Sequence, residues 1–132
     1  MLKNVTIDVY GVDQDLLANR DYLFRLLQKL PTRLGMELVA GPWVEDIQQV
    51  TDPRDAGLSG AVIIATSHIT FHSWPPDGMI NIDICSCKDF DTDLVLEHLA
   101  LLFDSSDIEY QEYIRARRQT RHPISQRASA TI

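Results

Sequence analysis

The feature that most constrains the fold is a pair of apolar, β-branched segments, residues 60–73 and 79–87, with a short polar break between them. Valine, isoleucine and threonine favour extended backbone. The break, Trp74-Pro75-Pro76-Asp77-Gly78, has the composition of a turn, because proline fixes φ and glycine permits positive φ. The pattern predicts a β-hairpin, and a hairpin needs further strands or helices to bury one of its faces.

Three more segments favour extended structure. Residues 3–10 alternate polar and apolar side chains, which is the period of a strand with one buried face. Residues 36–40 predict a second strand that ends at Gly41-Pro42, and residues 107–113 predict an edge strand. Residues 44–57 are polar and contain a proline, so we expect much of this segment to be an irregular connection.

Two segments favour helices. The first begins at Asp13 or Asp15, either of which can cap it, and ends at Pro31, which cannot continue a helix. The second runs from residue 91 or 92 to Phe103. Leucines recur at helical spacing along the first helix: Leu16, Leu23, Leu26, Leu27 and Leu30. Each helix therefore has one apolar face to place against the strands.

The order β-α-β-β-β-α-β predicts an α+β two-layer sandwich, in which an antiparallel sheet carries both helices on one face. The other face of the sheet is left open, and dimerisation is one way to cover it. The chain of 132 residues is long enough for one domain, which we place at residues 1–113. Residues 114–132 carry five arginines and no acid, and we interpret them as a basic, flexible tail.

Charge and composition narrow the class of partner and the compartment. The net charge is −7 despite the basic tail, so residues 1–113 form an acidic body that does not favour nucleic acid as a partner. The chain has no apolar run long enough for a membrane span, and we expect no membrane contact. Cys85 and Cys87 lie too close together to form a useful disulfide. We expect free thiols and a cytoplasmic protein.

Chemically reactive side chains gather in the predicted hairpin. If its turn is centred near Pro76, cross-strand partners have numbers that sum to about 152, which places Ser67 opposite Cys85 and close to Cys87. Ser67 and His72 are five residues apart, so in an unbroken strand their side chains point to opposite faces. Cooperation between these two residues requires a kink, a bulge or chain cleavage near Ser67.

Four motifs together resemble the prokaryotic S-adenosylmethionine decarboxylase proenzyme family. They are TIDVYGVD at residues 6–13, GLSG at 57–60, SHITFHSWP at 67–75 and DICSC at 83–87. In the family these regions read roughly as an opening strand ending in Y-G, then G-V-S-G, E-S-H-x-x-x-H-T-W-P-E and D-x-F-T-C-G. The resemblance covers about residues 3 to 110 and has no gap through its centre.

The resemblance implies a self-processing enzyme. The Ser67 hydroxyl would attack the carbonyl of Thr66, and elimination and hydrolysis would cut the chain between residues 66 and 67, leaving a pyruvoyl group at residue 67. His72 would move protons, assisted by Ser59. The pyruvoyl ketone would form a Schiff base with an amine-bearing small-molecule substrate, and Cys87 would protonate the carbanion left after loss of CO2. The family also implies a homodimer.

Three departures from the family pattern bear on cleavage and substrate. Thr66 replaces the usual glutamate before the cleaved serine. Pro76 replaces the glutamate of W-P-E, and Asp77, one position later, is a candidate substrate-binding residue. Pro53 stands where the family tends to carry an aromatic residue suited to stack on adenine, a role that Trp43 could take. The departures fall mainly on nucleoside recognition, so the motifs favour the reaction type more strongly than the substrate.

Other functions therefore stay open beside decarboxylation of S-adenosylmethionine in the route to spermidine. The same pyruvoyl chemistry could act on ornithine or arginine, or the chain could be an uncleaved relative that binds a ligand or regulates an active partner. A zinc site formed by His68, His72, Cys85 and Cys87 is a further alternative, but C-x-C lacks the usual zinc-knuckle spacing and we expect no metal. We interpret Cys85 as core filling and His98 as structural.

Overall fold

The computed structural model describes residues 1–116, in which six strands form one antiparallel sheet with the order β2-β3-β4-β5-β1-β6. Between the strands lie three α-helices, and two short 3-10 turns follow β2 and β4. The strands are β1 (Leu2–Val9), β2 (Leu38–Ile47), β3 (Gly57–Ile64), β4 (Ser67–Trp74), β5 (Met79–Ser86) and β6 (Ile108–Arg115). The helices are α1 (Gln14–Leu17), α2 (Arg20–Arg33) and α3 (Thr92–Phe103).

The core lies between the helices and one face of the sheet, which confirms the α+β sandwich. Alternate residues of the four central strands point toward the helices and are almost fully buried, as expected of a sheet with one face against a core. These are Val5, Ile7, Val9, Leu58, Val62, Ile64, Ile69, Phe71, Ile80, Ile82 and Ile84. The opposite, open face of the sheet carries polar and mixed side chains, because the intervening residues of each strand point there.

The helices begin where the sequence predicts, but the first one is divided. Asp13 caps α1 and Asn19 caps the separate helix α2, while Asp91 caps α3. The prediction that Pro31 ends the first helix is wrong, because α2 continues to Arg33 with Pro31 inside its last turns. Proline costs one helical hydrogen bond there, and burial of the ring against the core offsets that loss.

The second strand is longer than its composition indicates. The predicted end at Gly41-Pro42 is wrong, since β2 continues to Ile47 and takes in residues that we expected to be irregular. A proline is tolerated because β2 is an edge strand, so the missing N–H need not face a neighbour. Its pairing with β3 shifts register on both sides of Ala40 before becoming regular from Trp43 onward.

The apolar segment 60–73 is two strands rather than one. A tight turn at Ala65 and Thr66 separates β3 from β4, so the predicted hairpin is a three-stranded meander. The β4–β5 register pairs His68 with Cys85, one residue away from the predicted partnership of Ser67 with Cys85. Because side chains alternate in a strand, this shift sends His68 to the open face and Ser67 to the helical side.

The last strand ends later than the predicted edge strand at residues 107–113. Ile114 and Arg115 belong to β6, so the sheet extends two residues beyond the predicted domain limit at 113. The rest of the predicted basic tail, from residue 117 onward, lies outside the described residues. Within residues 1–116 no helix is long and apolar enough to cross a bilayer.

Candidate active site

Thr66 lies in an unusual backbone conformation between β3 and β4. Its φ is +50°, in the left-handed region that β-branched residues rarely occupy. Placing an L-residue there costs about 1–2 kcal/mol. Ala65 and Thr66 are exposed, and Ser67 is half-buried. Strain is thus concentrated at the bond where the sequence predicts cleavage.

The Ser67 hydroxyl is held by two backbone groups at this turn. It donates a hydrogen bond to the Ala65 carbonyl oxygen at 3.1 Å and accepts one from the Cys87 N–H at 2.9 Å. The Cys87 thiol lies 3.4 Å from the same Ala65 oxygen. The Ser67 hydroxyl and the Cys87 thiol therefore contact the same Ala65 carbonyl oxygen. We call Ser67 and Cys87 the first pair.

Ser59 and His72 form a second pair, on the open face of the sheet. They are cross-strand partners in β3 and β4, and Ser59 Oγ lies 2.7 Å from His72 Nδ1. The two glycines around Ser59 are required by packing. A Cβ at Gly57 would lie 2.2 Å from the Ser73 carbonyl oxygen, and one at Gly60 would lie 2.4 Å from the Phe71 ring. The GLSG motif thus lets β3 approach β4 closely enough to join Ser59 to His72.

The two pairs are well separated within one chain. Ser67 and His72 are five residues apart in the regular strand β4, which corresponds to about 16 Å along the strand. Their side chains also point to opposite faces, as the odd spacing predicts. The expected interruption of the strand lies before Ser67, in the turn at Ala65 and Thr66, so the pairing of β4 with β3 stays regular from Ser67 to Ser73. A single chain therefore does not bring His72 to the Thr66–Ser67 bond.

The predicted substrate-binding residues lie nearer the second pair. Asp77 is exposed in the 3-10 turn Pro75–Asp77, which directly follows β4 and includes Pro76. Pro53 begins a similar turn, Pro53–Asp55, between β2 and β3. Trp43 belongs to β2 and is 52% exposed, pairing with Ala61 two residues along β3 from Ser59. Its indole is thus on the strand next to the Ser59–His72 pair.

Sequence reasoning missed three groups that border the pairs. Glu45 is the cross-strand partner of Ser59, and Asn81 is the partner of His72. Asn81 accepts a hydrogen bond from Trp74 Nε1 and donates one to Asp8, both at 2.7 Å. The third group is the Ala65 carbonyl. Finding Glu45 from the sequence would have required extending β2 past Pro42.

The other histidines and the inner cysteine have separate places. His68 and Cys85 face each other across β4 and β5, and Cys85 is buried on the open face of the sheet, outside the core cluster that it was expected to fill. His72 and Cys87 lie apart from this couple, and residues 1–116 contain no group of three side chains able to hold a metal ion. His98 packs in α3, where burial lowers its pKa and the Arg33 guanidinium lowers it further.

Comparison with known proteins places these motifs in a family. The family model for S-adenosylmethionine decarboxylase matches residues 3–116, which is nearly all of the described chain. The chain belongs to the S-adenosylmethionine decarboxylase family. This is a family of self-cleaving, pyruvoyl-dependent decarboxylases, so the resemblance seen in the four motifs is confirmed.

Individual relatives agree with this membership. The chain is 35% identical over 115 residues to the S-adenosylmethionine decarboxylase proenzyme of Clostridium botulinum strain Langeland, covering 86% of this chain and 93% of the relative. It is 28% identical over 86 residues to the proenzyme of that name from Thermoplasma acidophilum, covering 65% and 60% of the two chains.

A solved structure shares the fold. The crystal structure of the adenosylmethionine decarboxylase from Aquifex aeolicus VF5 superposes with a TM-score of 0.73 at 20% sequence identity. The match covers 99% of this chain and 98% of the other. The likeness therefore extends over the whole architecture, including both strands that carry the Ser59–His72 pair.

Proposed function

We propose that this chain is a proenzyme that cuts itself between Thr66 and Ser67 and then decarboxylates S-adenosylmethionine. The observation that carries the proposal is the turn itself. Thr66 is held at φ +50° directly before a serine whose Oγ is fixed between the Ala65 carbonyl and the Cys87 N–H. Membership of a proenzyme family supports the same reaction.

The proposed cleavage uses atoms of two consecutive residues, Thr66 and Ser67. Ser67 Oγ attacks the Thr66 carbonyl carbon while the C–N bond between the two residues breaks, so the amide becomes an ester and the Ser67 nitrogen takes a proton. Removal of the Ser67 α-proton expels Thr66 as a carboxylate and leaves dehydroalanine. Water then displaces ammonia to give the pyruvoyl carbonyl. Release of the left-handed Thr66 conformation favours the first step, since strain of about 1–2 kcal/mol is lost.

Cys87 is placed to act in the mature enzyme. The pyruvoyl carbonyl supplies an electron sink for the electron pair that loss of CO2 leaves on the substrate. The Cys87 backbone N–H contacts residue 67, and its thiol points at the neighbouring Ala65 carbonyl. We therefore assign to the Cys87 thiol the role of proton donor to the substrate carbanion.

The Ser59–His72 pair requires a second copy of the chain. Because about 16 Å of β4 separate His72 from Ser67, His72 cannot reach the cleaved bond in its own subunit. We therefore propose a homodimer in which the open sheet faces meet, and in which the Ser59–His72 pair of one subunit lies against the Thr66–Ser67 turn of the other. The exposed Trp43 and Ile63 on this side of the sheet would be covered by the same contact.

Substrate recognition is assigned to the surroundings of the second pair. S-adenosylmethionine carries a sulfonium, an amine and a ribose, and the exposed Trp43 and Glu45 offer a ring face for a cation and a carboxylate. Asp77 stays a predicted binding residue for the substrate hydroxyls. Cys87 must stay a thiol to deliver a proton, which favours the reducing cytoplasm as the compartment.

The test of this function combines mass and turnover. Intact mass of the purified chain is expected to show two pieces that divide between residues 66 and 67, whereas Ser67→Ala stays whole. CO2 release is then measured from carboxyl-labelled S-adenosylmethionine, ornithine and arginine at millimolar concentration. Release from ornithine or arginine alone would overturn the substrate, and an uncut wild-type chain would overturn the enzyme in favour of a ligand-binding or regulatory relative.

A further inference from the structure

Lys3 is a buried cation at the start of β1, and its side chain is only 10% exposed. Its Nζ lies 2.8 Å from Glu112 Oε1, 3.1 Å from Asp89 Oδ1 and 2.5 Å from the Phe90 carbonyl oxygen. An ammonium has three N–H donors, so each donor has an acceptor. The same Nζ lies 4.6 Å from the centre of the Phe90 ring, within range of a cation–π contact.

These contacts converge on the loop that begins with Cys87. The loop comprises residues 87–91 and joins β5 to α3. Asp89 and Phe90 lie within it, whereas Glu112 lies in β6 and also accepts a hydrogen bond of 2.7 Å from the Thr92 hydroxyl at the start of α3. Lys3 therefore ties the middle of the loop to β1, to β6 and, through Glu112, to the helix that follows.

The opposite end of the loop is fixed at the reactive turn. The Lys88 N–H donates to Ser86 Oγ at 3.0 Å, and the Cys87 N–H donates to Ser67 Oγ. Cys87 is itself exposed, so apolar packing does not hold its side chain. The Asp89 side chain is 82% exposed, and its place is likewise set by Lys3 and by the Phe90 N–H rather than by burial.

We propose that Lys3 is a positioning residue for Cys87: by holding residues 89 and 90 against the sheet, it keeps the Cys87 thiol at the turn of Ala65 and Thr66, directly before residue 67. The role assigned to Cys87 rests on the proposed function above. Lys3 acts through the loop alone, since its own atoms contact neither Ser67 nor Cys87 in the hydrogen bonds of the described residues.

The charge balance explains why a lysine is needed. One cation faces two carboxylates and a backbone carbonyl, and a neutral side chain at position 3 would leave the two carboxylates without their counter-charge and the Phe90 carbonyl without the Lys3 donor. Burial lowers the pKa of Lys3, but the hydrogen bonds that Lys3 donates to Glu112 and Asp89 and the attraction of these two carboxylates together raise that pKa. Without the cation, the exposed Asp89 side chain and the Phe90 carbonyl lose their tie to β1, and the loop is free to move away from the sheet.

The experiment uses the full chain carrying Ser67→Ala in every variant, so that no readout depends on cleavage and the loss of the Cys87 N–H to Ser67 Oγ hydrogen bond is common to all of them. In that background Lys3→Met and Asp89→Asn are compared with Lys29→Met, a matched removal of a lysine charge from the exposed side of α2. Two rates are measured: alkylation of Cys87 by iodoacetamide from about pH 6 to pH 9, and hydrogen–deuterium exchange of the Lys88 amide. Fragment masses of the peptide that carries both cysteines distinguish Cys87 from the buried Cys85.

We expect Lys3→Met to raise both rates roughly tenfold, because losing hydrogen bonds to charged groups raises the population of the open loop by about that factor. Asp89→Asn should raise them less, and Lys29→Met should leave them unchanged. A Lys3→Met protein that merely melts earlier, with both rates equal to those of Lys29→Met, would refute the proposal. If the Lys3→Met protein does not fold, the test rests on Asp89→Asn. Alkylation and exchange rates in Asp89→Asn equal to those of Lys29→Met would then refute the proposal.

A second readout links the loop to turnover. With Ser67 intact, Lys3→Met is expected to lower kcat with little change in KM, since the substrate contacts other residues. A chain that never cleaves, yet shows the tenfold rise in thiol reactivity, would support the action of Lys3 on the loop and refute only the proposed enzyme. An unchanged kcat together with unchanged thiol reactivity would refute the positioning role.

Discussion

The division of the candidate site into two distant pairs makes a quantitative prediction about mixed dimers. Consider Ser67→Ala, which removes the nucleophile, and His72→Ala, which removes the imidazole. The gap of about 16 Å between these positions is several times the hydrogen-bond reach of about 3 Å needed for proton transfer. We therefore expect each variant to be uncut when expressed alone, and the His72→Ala chain to be cut when it pairs with a Ser67→Ala chain.

The expected yield follows from pairing statistics. With equal expression and random pairing of differently tagged chains, about half of the His72→Ala chains lie in mixed dimers, and these receive an intact Ser59–His72 pair from the partner. Intact mass should thus show about half of the His72→Ala chains cleaved and every Ser67→Ala chain whole. Each mixed dimer holds one complete site, so decarboxylation should reach about a quarter of the wild-type rate.

Two results would refute this reasoning. Cleavage of His72→Ala on its own would remove His72 from the processing reaction. Complete absence of cleavage in the mixture, with mixed dimers recovered through both tags, would mean that each site is built within one chain. A matched control is His98→Ala in place of His72→Ala, because His98 lies on α3 away from both pairs and that chain should cleave alone.

Further predictions follow from single residues. Thr66→Gly removes the cost of the left-handed conformation, so the uncut chain should gain about 1 kcal/mol of unfolding free energy by urea titration and cleave more slowly. Ser59→Ala leaves His72 Nδ1 without its partner, and we expect cleavage, followed by gel densitometry, to slow by about tenfold. Since the pKa of His98 is lowered below its ordinary value of 6.5, the unfolded state binds the proton more readily. Unfolding free energy should therefore rise as pH increases toward 6.5, and His98→Gln should flatten that rise.

Local signals in the sequence predicted a helix start or a strand correctly where a few neighbouring residues determine it. Asp13 caps the first helix as predicted, α3 spans Thr92–Phe103 as predicted, and the alternating residues 3–10 form β1. In contrast, the turn at Ala65-Thr66 contains no glycine, proline or asparagine, so composition could not reveal it. That turn is formed by the pairing of β3 with β4, which is a tertiary effect.

The candidate site shows the same limit. Motif spacing identified Ser59, Ser67, His72 and Cys87, but it could not divide them into two pairs, because that division depends on the turn and on a one-residue change of register. Glu45 was hidden for a related reason. A proline such as Pro42 predicts the end of a strand, unless the strand is known to lie at the edge of the sheet, where proline is tolerated.

The strand order has a consequence for the product of the cut. Residues 1–66 supply β1, β2 and β3, whereas residues 67 onward supply β4, β5 and β6. Because β1 is inserted between β5 and β6, and β3 lies beside β4, the two fragments interlace through three separate ladders. They would remain together without a covalent link. Once unfolded, however, the pieces must find each other by diffusion, so the processed protein refolds as a two-body reaction whose yield depends on concentration.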